Sequence, residues 1–353
     1  MNERAALWLA AAEAVEAGRP AAFATVARKR GSLPMASDAK MLVTADGGRW
    51  GTVGGGCTEA DVTAQALATL ETGKPDFVKH ILNADLVGDL ALSCGGTVEM
   101  FVEPLVGPKE LARLCRAVGE AIQGRRPATV ATAIEWSKGP GKVAEVGGER
   151  WAVGAGDRLL AAVRPGSPSV ARDRPAHRHT AAFVDQEAGA FVEPIMRMPR
   201  LTVFGAGHVG AELAQLAARA GFYVVVVDDR AEFANAERLP AANEIVVDEF
   251  RRVLNRLVFD EDDFVIAATR GHSFDAYIVE RTAGSRAGYV GMLGSKRKRE
   301  VIWRALQSAG VDPKALKRVR SPIGVDIGAD TPVEIAVSVV AELVRLRRLG
   351  EAG

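Results

Sequence analysis

Leu201-Thr202-Val203-Phe204-Gly205-Ala206-Gly207-His208-Val209-Gly210 is the stretch whose reading decides the fold. A short apolar run ends in three glycines spaced as GxGxxG. It leads into a helical pattern with apolar positions at Leu213, Leu216, Ala217 and Ala220, closed by Gly221. Residues 222–227 form the next apolar run, which ends in Asp228-Asp229-Arg230. Each glycine has its own physical task. Gly205 permits the tight strand-to-helix turn, Gly207 lets the backbone approach a pyrophosphate seated on the helix N-terminus, and Gly210 allows close strand–helix packing. Asp228 stands at about the spacing at which an acid accepts hydrogen bonds from a ribose hydroxyl. His208 lies inside the glycine fingerprint. Strand, glycines, helix, strand and acid in this order predict a dinucleotide-binding Rossmann unit.

Downstream, residues 244–247, 264–269 and 289–293 read as further buried strands alternating with helical stretches. That alternation predicts an α/β, Rossmann-like, doubly wound parallel sheet, with ligands at the carboxyl ends of its strands. Two loops fall there, Thr269-Arg270-Gly271-His272-Ser273 and Gly291-Met292-Leu293-Gly294-Ser295-Lys296. The second reads as a backbone-amide nest at Gly294 and Ser295, with Lys296 to face a phosphate. The basic run at residues 296–299 reads as a solvated helix start. Thr331-Pro332-Val333-Glu334 is a capping box with proline at the first helical position, opening a last helix to about residue 348. Hydride transfer would also need a base aimed at substrate; His208 and His272 come with no acid partner and read as loop or capping histidines.

Upstream the pattern changes. Residues 3–18 are helical, closed by Gly18 and Pro20. Strands are expected at residues 21–28 and 41–44, followed by a hairpin-like turn at Asp46-Gly47-Gly48. A glycine turn, Gly54-Gly55-Gly56-Cys57, then runs into a helix over 58–72. Strands at 77–82 and 97–102, a helix at 111–123 and a strand at 128–136 follow. Residues 139–198 are rich in Gly, Pro and Arg and show only short strand candidates. The organisation read from this is an N-terminal mixed α/β module at 1–106, a middle α/β segment and linker at 107–198 that can belong to the same domain, and the Rossmann-like unit at 199–353. A tetrapeptide occurs twice, Phe101-Val102-Glu103-Pro104 and Phe191-Val192-Glu193-Pro194. Four residues read as a shared way of leaving a strand, not as a duplicated domain.

Charge and cysteine usage narrow the function classes. With 45 basic against 44 acidic side chains, no strong field draws the chain to nucleic acid or to anionic lipid. No apolar run approaches the ~20 residues of a membrane span, and no signal peptide is legible at the N-terminus. Three cysteines suggest reduced thiols and a cytoplasmic setting. Cys115 falls mid-helix and reads as a small core residue. Cys57 follows three glycines at a helix start, where the dipole and free amides stabilise a thiolate. Cys94 precedes Gly95-Gly96, and both sites also fit buried cysteines in tight glycine turns. Thiolates suit soft or redox-active metals, though one or two of them make no zinc site.

Several stretches together resemble one family. Gly31-Ser32-Leu33-Pro34, Lys40-Met41-Leu42-Val43, Gly51-Thr52-Val53-Gly54-Gly55-Gly56-Cys57-Thr58-Glu59 and Cys94-Gly95-Gly96 are similar to the N-terminal module of the XdhC/CoxI family. Phe204-Gly205-Ala206-Gly207-His208, Val227-Asp228-Asp229-Arg230, the 289–296 loop and Ser321-Pro322-Ile323-Gly324-Val325-Asp326-Ile327-Gly328 resemble its Rossmann module. The resemblance implies an accessory factor for xanthine dehydrogenase- or carbon monoxide dehydrogenase-type molybdenum hydroxylases. Such a chaperone binds molybdenum cofactor (molybdopterin or its dinucleotide form), holds it while a cysteine desulfurase supplies the sulfido ligand, and inserts it into the apo-enzyme. It further implies that Cys57 contacts the molybdenum through the cofactor, that Cys94 is a second thiol, and that the chain forms a homodimer. The chain departs from the family at Met35 and Asp38, where relatives carry an arginine and a glycine. If that arginine grips a phosphate, Arg28, Arg30 or Lys40 replaces it. Two other readings stay open: an NAD(P)-dependent oxidoreductase built on the Rossmann half, and a redox scaffold with a Cys57–Cys94 disulfide.

Overall fold

The computed structural model describes residues 3–31, 33, 35–82, 96–105, 107, 109–136, 143–154, 159–163, 181–185 and 189–350. The chain divides into two compact units, residues 1–197 and 198–353. None of the described helices is long and apolar enough to cross a membrane.

The first unit opens with helix α1 (Glu3–Glu16) and an antiparallel sheet of β1 (Ala21–Gly31), β2 (Lys40–Thr44), β3 (Arg49–Thr52), β4 (Asp76–Leu82) and β5 (Gly96–Pro104), in the order β3-β2-β1-β5-β4. Helix α2 (Gly56–Thr72) lies between β3 and β4 in sequence. Strand alternation sorts the two faces of this sheet. Ala22, Ala24, Val26, Met41, Val43, Met100 and Val102 pack with Val62 and Ala66 of α2, while Phe23 and Leu42 pack with Leu7, Trp8 and Ala11 of α1. The turn expected at residues 46–48 joins β2 to β3, with Gly47 at φ +87°.

Helix α3 (Lys109–Gln123) begins a second run of the same kind. It is followed by β6 (Ala128–Trp136), β7 (Val143–Gly154), β8 (Leu159–Val163), β9 (Phe183–Asp185) and β10 (Ala190–Ile195), in the order β8-β7-β6-β10-β9. Counted within each run, both sheets read third-second-first-fifth-fourth. The register agrees residue by residue. Thr25 stands across from Lys40 and Phe101, and Thr132 stands across from Arg150 and Phe191. Arg19-Pro20-Ala21 and Ala24-Thr25 recur as Arg126-Pro127-Ala128 and Ala131-Thr132 at constant spacing. Gly18 and Arg125, just before these prolines, both take left-handed φ, at +65° and +52°. The first unit is therefore an internal duplication, which corrects the reading of the repeated tetrapeptide as a shared strand exit. The four identities fall on equivalent strands, β5 and β10. Helices α1 and α3 pack together in one core with Ala21, Phe23, Leu105, Ala128, Val130, Ala152 and Ile195.

The second unit holds six parallel strands: β11 (Arg200–Phe204), β12 (Tyr223–Asp228), β13 (Glu244–Val247), β14 (Asp263–Ala267), β15 (Tyr289–Met292) and β16 (Val319–Arg320), in the order β13-β12-β11-β14-β15-β16. Helix α4 (His208–Arg219) and α9 (Pro332–Leu349) cover one face through Leu213, Ala217, Ala336, Val339 and Leu343. On the other face, α5 (Phe250–Arg256), α6 (His272–Thr282), α7 (Lys296–Ser308) and α8 (Pro313–Lys317) pack through Val253, Ile278, Ile302 and Leu316. This is the expected doubly wound sheet, and its order reverses between β11 and β14. The Thr331 capping box opens α9, with the Thr331 hydroxyl and the Glu334 carboxylate each taking the other residue's backbone N–H.

Candidate functional site

In the first unit, α2 starts at Gly56 with Gly55 as its N-cap, an extended residue that offers no side-chain hydrogen bond to the helix amides. Gly54 turns the chain with φ +144°, and a Cβ there would stand 2.9 Å from Met35 Cε. A Cβ on Gly55 or Gly56 would meet nothing within 4 Å, so the surface above both residues is open. Cys57 is the second residue of α2; its thiol is outside the described side chains, and Cys94 lies outside the described residues altogether. Met35 is buried beside the turn, and Asp38 is paired with Arg4 at 3.1 Å.

A cavity of about 240 Å³ opens at Gly54 and is lined by Trp8, Met35, Asp38, Lys40, Thr52 and Glu193 among others. The Lys40 side chain is 7% exposed. Its ammonium donates to Thr25 Oγ1 at 2.8 Å and to Glu193 Oε2 at 2.6 Å, and it stands over the rings of Phe23 (4.2 Å) and Trp8 (4.7 Å). Removing two charges from water costs several kcal/mol per ion, which only close pairing and added hydrogen bonds offset. Glu193 escaped the sequence reading. Its signal was present in the repeated tetrapeptide: an acid held twice within an apolar strand needs a buried cation, and here the cation is 153 positions away.

Arg28 and Arg30 occupy a different place. Arg28 is directly across from Glu99, which is directly across from Lys79, and Arg30 is across from Thr97 two steps along the same face. These five residues line a cavity of about 100 Å³, three cations against one carboxylate. Arg28 is 3.8 Å from Glu99. Of the three cations proposed from sequence, the structure thus brings Arg28 and Arg30 together and puts Lys40 beside the glycine turn.

In the second unit the three glycines of the fingerprint differ in the room around them. A Cβ on Gly205, whose φ is +115°, would stand 2.3 Å from the Ala268 carbonyl oxygen, and one on Gly210 2.0 Å from the Gly205 oxygen. One on Gly207 would meet nothing within 4 Å, leaving room for a ligand at the N-terminus of α4, whose N-cap is Gly207. His208 is the first residue of α4 and His272 the first of α6, and both are exposed.

Asp228 ends β12 and is 1% exposed. Its Oδ2 accepts the Ala206 N–H at 2.7 Å, and Arg230 reaches both oxygens, Nε to Oδ1 at 2.9 Å and Nη2 to Oδ2 at 3.1 Å. Burial pushes this carboxyl up, but Arg230 and the Ala206 amide outweigh it and hold the group below the usual carboxylate range. Asp228 therefore fixes the glycine loop, and a ribose reaches it only if Arg230 gives way. Asp229 is the more exposed acid, and it pairs with Arg270 at 2.9 Å. This bridge joins the ends of β12 and β14, which flank β11.

In the turn after β15, Ser295 caps α7 by accepting the Lys298 N–H, and Lys296 is exposed. The lysine lodged beneath Gly294 is Lys298. Its ammonium donates to Asp275 at 2.5 Å and to the Leu293 carbonyl at 2.9 Å. Arg299 is likewise engaged, with the Ser321 carbonyl at 2.9 Å. Only Lys296 and Arg297 of the basic run face solvent. Cys115 is fully buried, as expected, and burial pushes its thiol up to about 12. Among the described residues, no group of three His, Cys, Asp or Glu could hold a metal ion.

Comparison with known proteins agrees with both halves. Residues 201–343 match the XdhC Rossmann domain, and residues 14–81 match the XdhC and CoxI family. A probable xanthine dehydrogenase subunit of Bacillus subtilis (strain 168) is 27% identical over 330 residues, 93% of each chain. The molybdenum cofactor insertion chaperone PaoD of Escherichia coli (strain K12) is 22% identical over 337 residues, 96% of this chain and 86% of that protein. The crystal structure of a xanthine dehydrogenase from Bacillus halodurans superposes with a TM-score of 0.78 at 26% identity, covering 98% of this chain and 96% of the other.

Proposed function

Because the chain belongs to the XdhC and CoxI family, we propose that it is a maturation factor for molybdenum hydroxylases, a carrier and not a catalyst. It binds molybdenum cofactor at the glycine turn of the first unit, keeps it while the terminal sulfido ligand is installed, and releases it to an apo-enzyme of the xanthine dehydrogenase type. The observation that carries this reading is the cavity of about 240 Å³ that opens at Gly54, at the foot of an uncapped helix start with Cys57 in its first turn. When bound, the cofactor supplies the molybdenum–sulfur centre that the client enzyme uses.

The chain's own residues bind and orient. Gly55 and Gly56 leave the approach to the helix start open, and the dipole of α2 favours Cys57 as a thiolate, the form that ligates a soft metal. The cations at Arg28, Arg30 and Lys79 suit a phosphate. In the second unit, the open Gly207 and the start of α4 suit the phosphates of a nucleotide such as NAD(P). A cytoplasmic homodimer that meets a cysteine desulfurase and the apo-hydroxylase in turn is part of this proposal.

The test is molybdenum and pterin content after loading with fresh cofactor, in the wild type and in Cys57→Ala. Near-stoichiometric retention by the wild type and its loss in the variant are expected; equal retention by both removes Cys57 from the site. The second reading, an NAD(P)-dependent oxidoreductase, draws on the intact glycine fingerprint and requires saturable oxidation of NADH by the purified chain.

A further inference from the structure

The two halves of the first unit hold the same buried ion pair, but only one of them opens onto the cavity at Gly54. Glu103 of β5 and Glu193 of β10 are equivalent residues, and each pairs with a cation on the second strand of the opposite half. Glu103 Oε2 takes Arg150 Nη2 at 2.7 Å, and Glu193 Oε2 takes Lys40 Nζ at 2.6 Å. In the first pair, Arg150 also donates to the Pro104 carbonyl at 3.2 Å, and both side chains are under 9% exposed. In the second, Lys40 and Glu193 both line the cavity. The surroundings differ in the same sense. Trp8 and Cys115 each lie thirteen residues before the repeated alanine, Ala21 or Ala128, and Phe23 and Val130 each lie two residues after it. At these positions the first half thus has two aromatic rings where the second has a thiol and a valine.

We infer that this cavity takes the 2-amino-4-oxopyrimidine edge of a pterin, with Glu193 as its acceptor, Lys40 as its donor and Trp8 as an aromatic wall. The inference rests on the cofactor-binding reading and places the pterin end of the cofactor. That edge presents, in order, a carbonyl acceptor, a ring N–H donor and an amino donor. A lysine ammonium beside a carboxylate offers the complementary order, one donor followed by two acceptors. Lys40 spends one hydrogen on Thr25 and one on Glu193, which leaves a third. Glu193 Oε1 makes no hydrogen bond among the described residues, and each carboxylate oxygen accepts more than one. The ion pair is neutral overall, which suits an uncharged heterocycle, whereas the row at Arg28, Arg30 and Lys79 suits an anion.

The experiment titrates the full chain by calorimetry with pterin, with lumazine (an oxo group in place of the 2-amino group) and with guanosine, which carries the same edge on a purine. Glu193→Gln is compared with Glu103→Gln, its counterpart in the other ion pair. Pterin is expected to bind saturably and at least tenfold more tightly than lumazine or guanosine. Glu193→Gln should lose that preference, while Glu103→Gln, at a comparable fall in melting temperature, should keep it. Equal binding of pterin and lumazine, or an unchanged preference in Glu193→Gln, overturns the assignment; guanosine binding as tightly as pterin overturns it in favour of a purine nucleotide. Should Glu193→Gln not fold, Trp8→Leu decides, with a tenfold loss of pterin affinity expected and an unchanged affinity fatal to the idea. Cys57-dependent retention of molybdenum without a pterin preference would sink this inference and spare the carrier reading. A pterin preference without molybdenum retention would do the opposite.

Discussion

The rings of Phe101 and Phe191 meet with centroids 4.7 Å apart and planes inclined by 44°, each borne by its own copy of Phe-Val-Glu-Pro. Both are buried, and Phe77 completes the group at 4.8 Å from Phe101 and 6.4 Å from Phe191. Two residues further along each strand, Glu103 and Glu193 reach into the opposite half to Arg150 and Lys40. Each half thus supplies the charge that the other buries.

Truncating either ring tests this arrangement. Phe101→Ala and Phe191→Ala should each cost about 3–5 kcal/mol of stability, the range for a buried phenylalanine. Because the rings share one contact, the double variant should cost less than the sum by about 0.5–3 kcal/mol. Urea unfolding of the four proteins measures it, and strict additivity would mean that the halves do not couple through these rings.

What was legible in the sequence follows from how far each feature reaches along the chain. The Rossmann unit was legible because its determinants are local: Gly205, Gly207 and Gly210 act within one turn, and the capping box at Thr331 within three residues. The second sheet was not, since β7 contains Gly147-Gly148 among charged residues and so lacks the alternation that marks a strand. Glu193 was missed because its partner Lys40 comes from the other end of the unit. The pairing of Lys298 with Asp275 was not legible, because it joins the starts of two helices 23 positions apart, whereas Lys296 stands exposed at the first helical position. The place of Asp228 was legible but not its occupancy, which depends on how Arg230 folds back.

The glycine fingerprint separates folding from binding. Gly205→Ala forces a side chain into left-handed backbone and against the Ala268 carbonyl, so it should unfold or strongly destabilise the second unit. Gly207→Ala places its methyl in open space and should leave the melting temperature within a few degrees. Any nucleotide that binds the purified protein should lose affinity in Gly207→Ala. A Gly207→Ala protein that melts far below the wild type would show that the space is not free.

The Asp228 carboxylate predicts an acid limb. Its folded-state pKa lies below the ordinary value, held there by Arg230 and the Ala206 amide against the effect of burial. A depressed carboxylate contributes stability that is present above about pH 4, the unfolded value, and is lost as pH falls through the folded pKa. Asp228→Asn should cost about 1–3 kcal/mol near neutrality, through the loss of charge-assisted bonds to a partly buried arginine. It should also lose less further stability than the wild type between about pH 5 and pH 3. Parallel acid limbs in urea titrations of the two proteins would assign the acid sensitivity to other carboxylates.

Cys115 predicts the alkaline limb. The thiol is sealed in the core between α1 and α3, and burial raises its pKa to about 12, with Arg150 and Lys40 opposing the shift only in part. In the unfolded chain a cysteine titrates near about 8.5. Between those values the unfolded chain has released its proton and the folded one has not, so stability falls as pH rises, by at most about 1.4 kcal/mol per unit. A small apolar residue in that space has no proton to lose. Cys115→Ala should therefore be less stable than the wild type at pH 7, because it leaves a small cavity, and should close that gap by pH 10 to 11. The same burial makes Cys115 inert to alkylation in the native protein at pH 8, with labelling appearing only under denaturant. Rapid labelling of Cys115 in the folded chain, or alkaline limbs that stay parallel in the two proteins, would place this thiol in contact with water and break the account of the core around it.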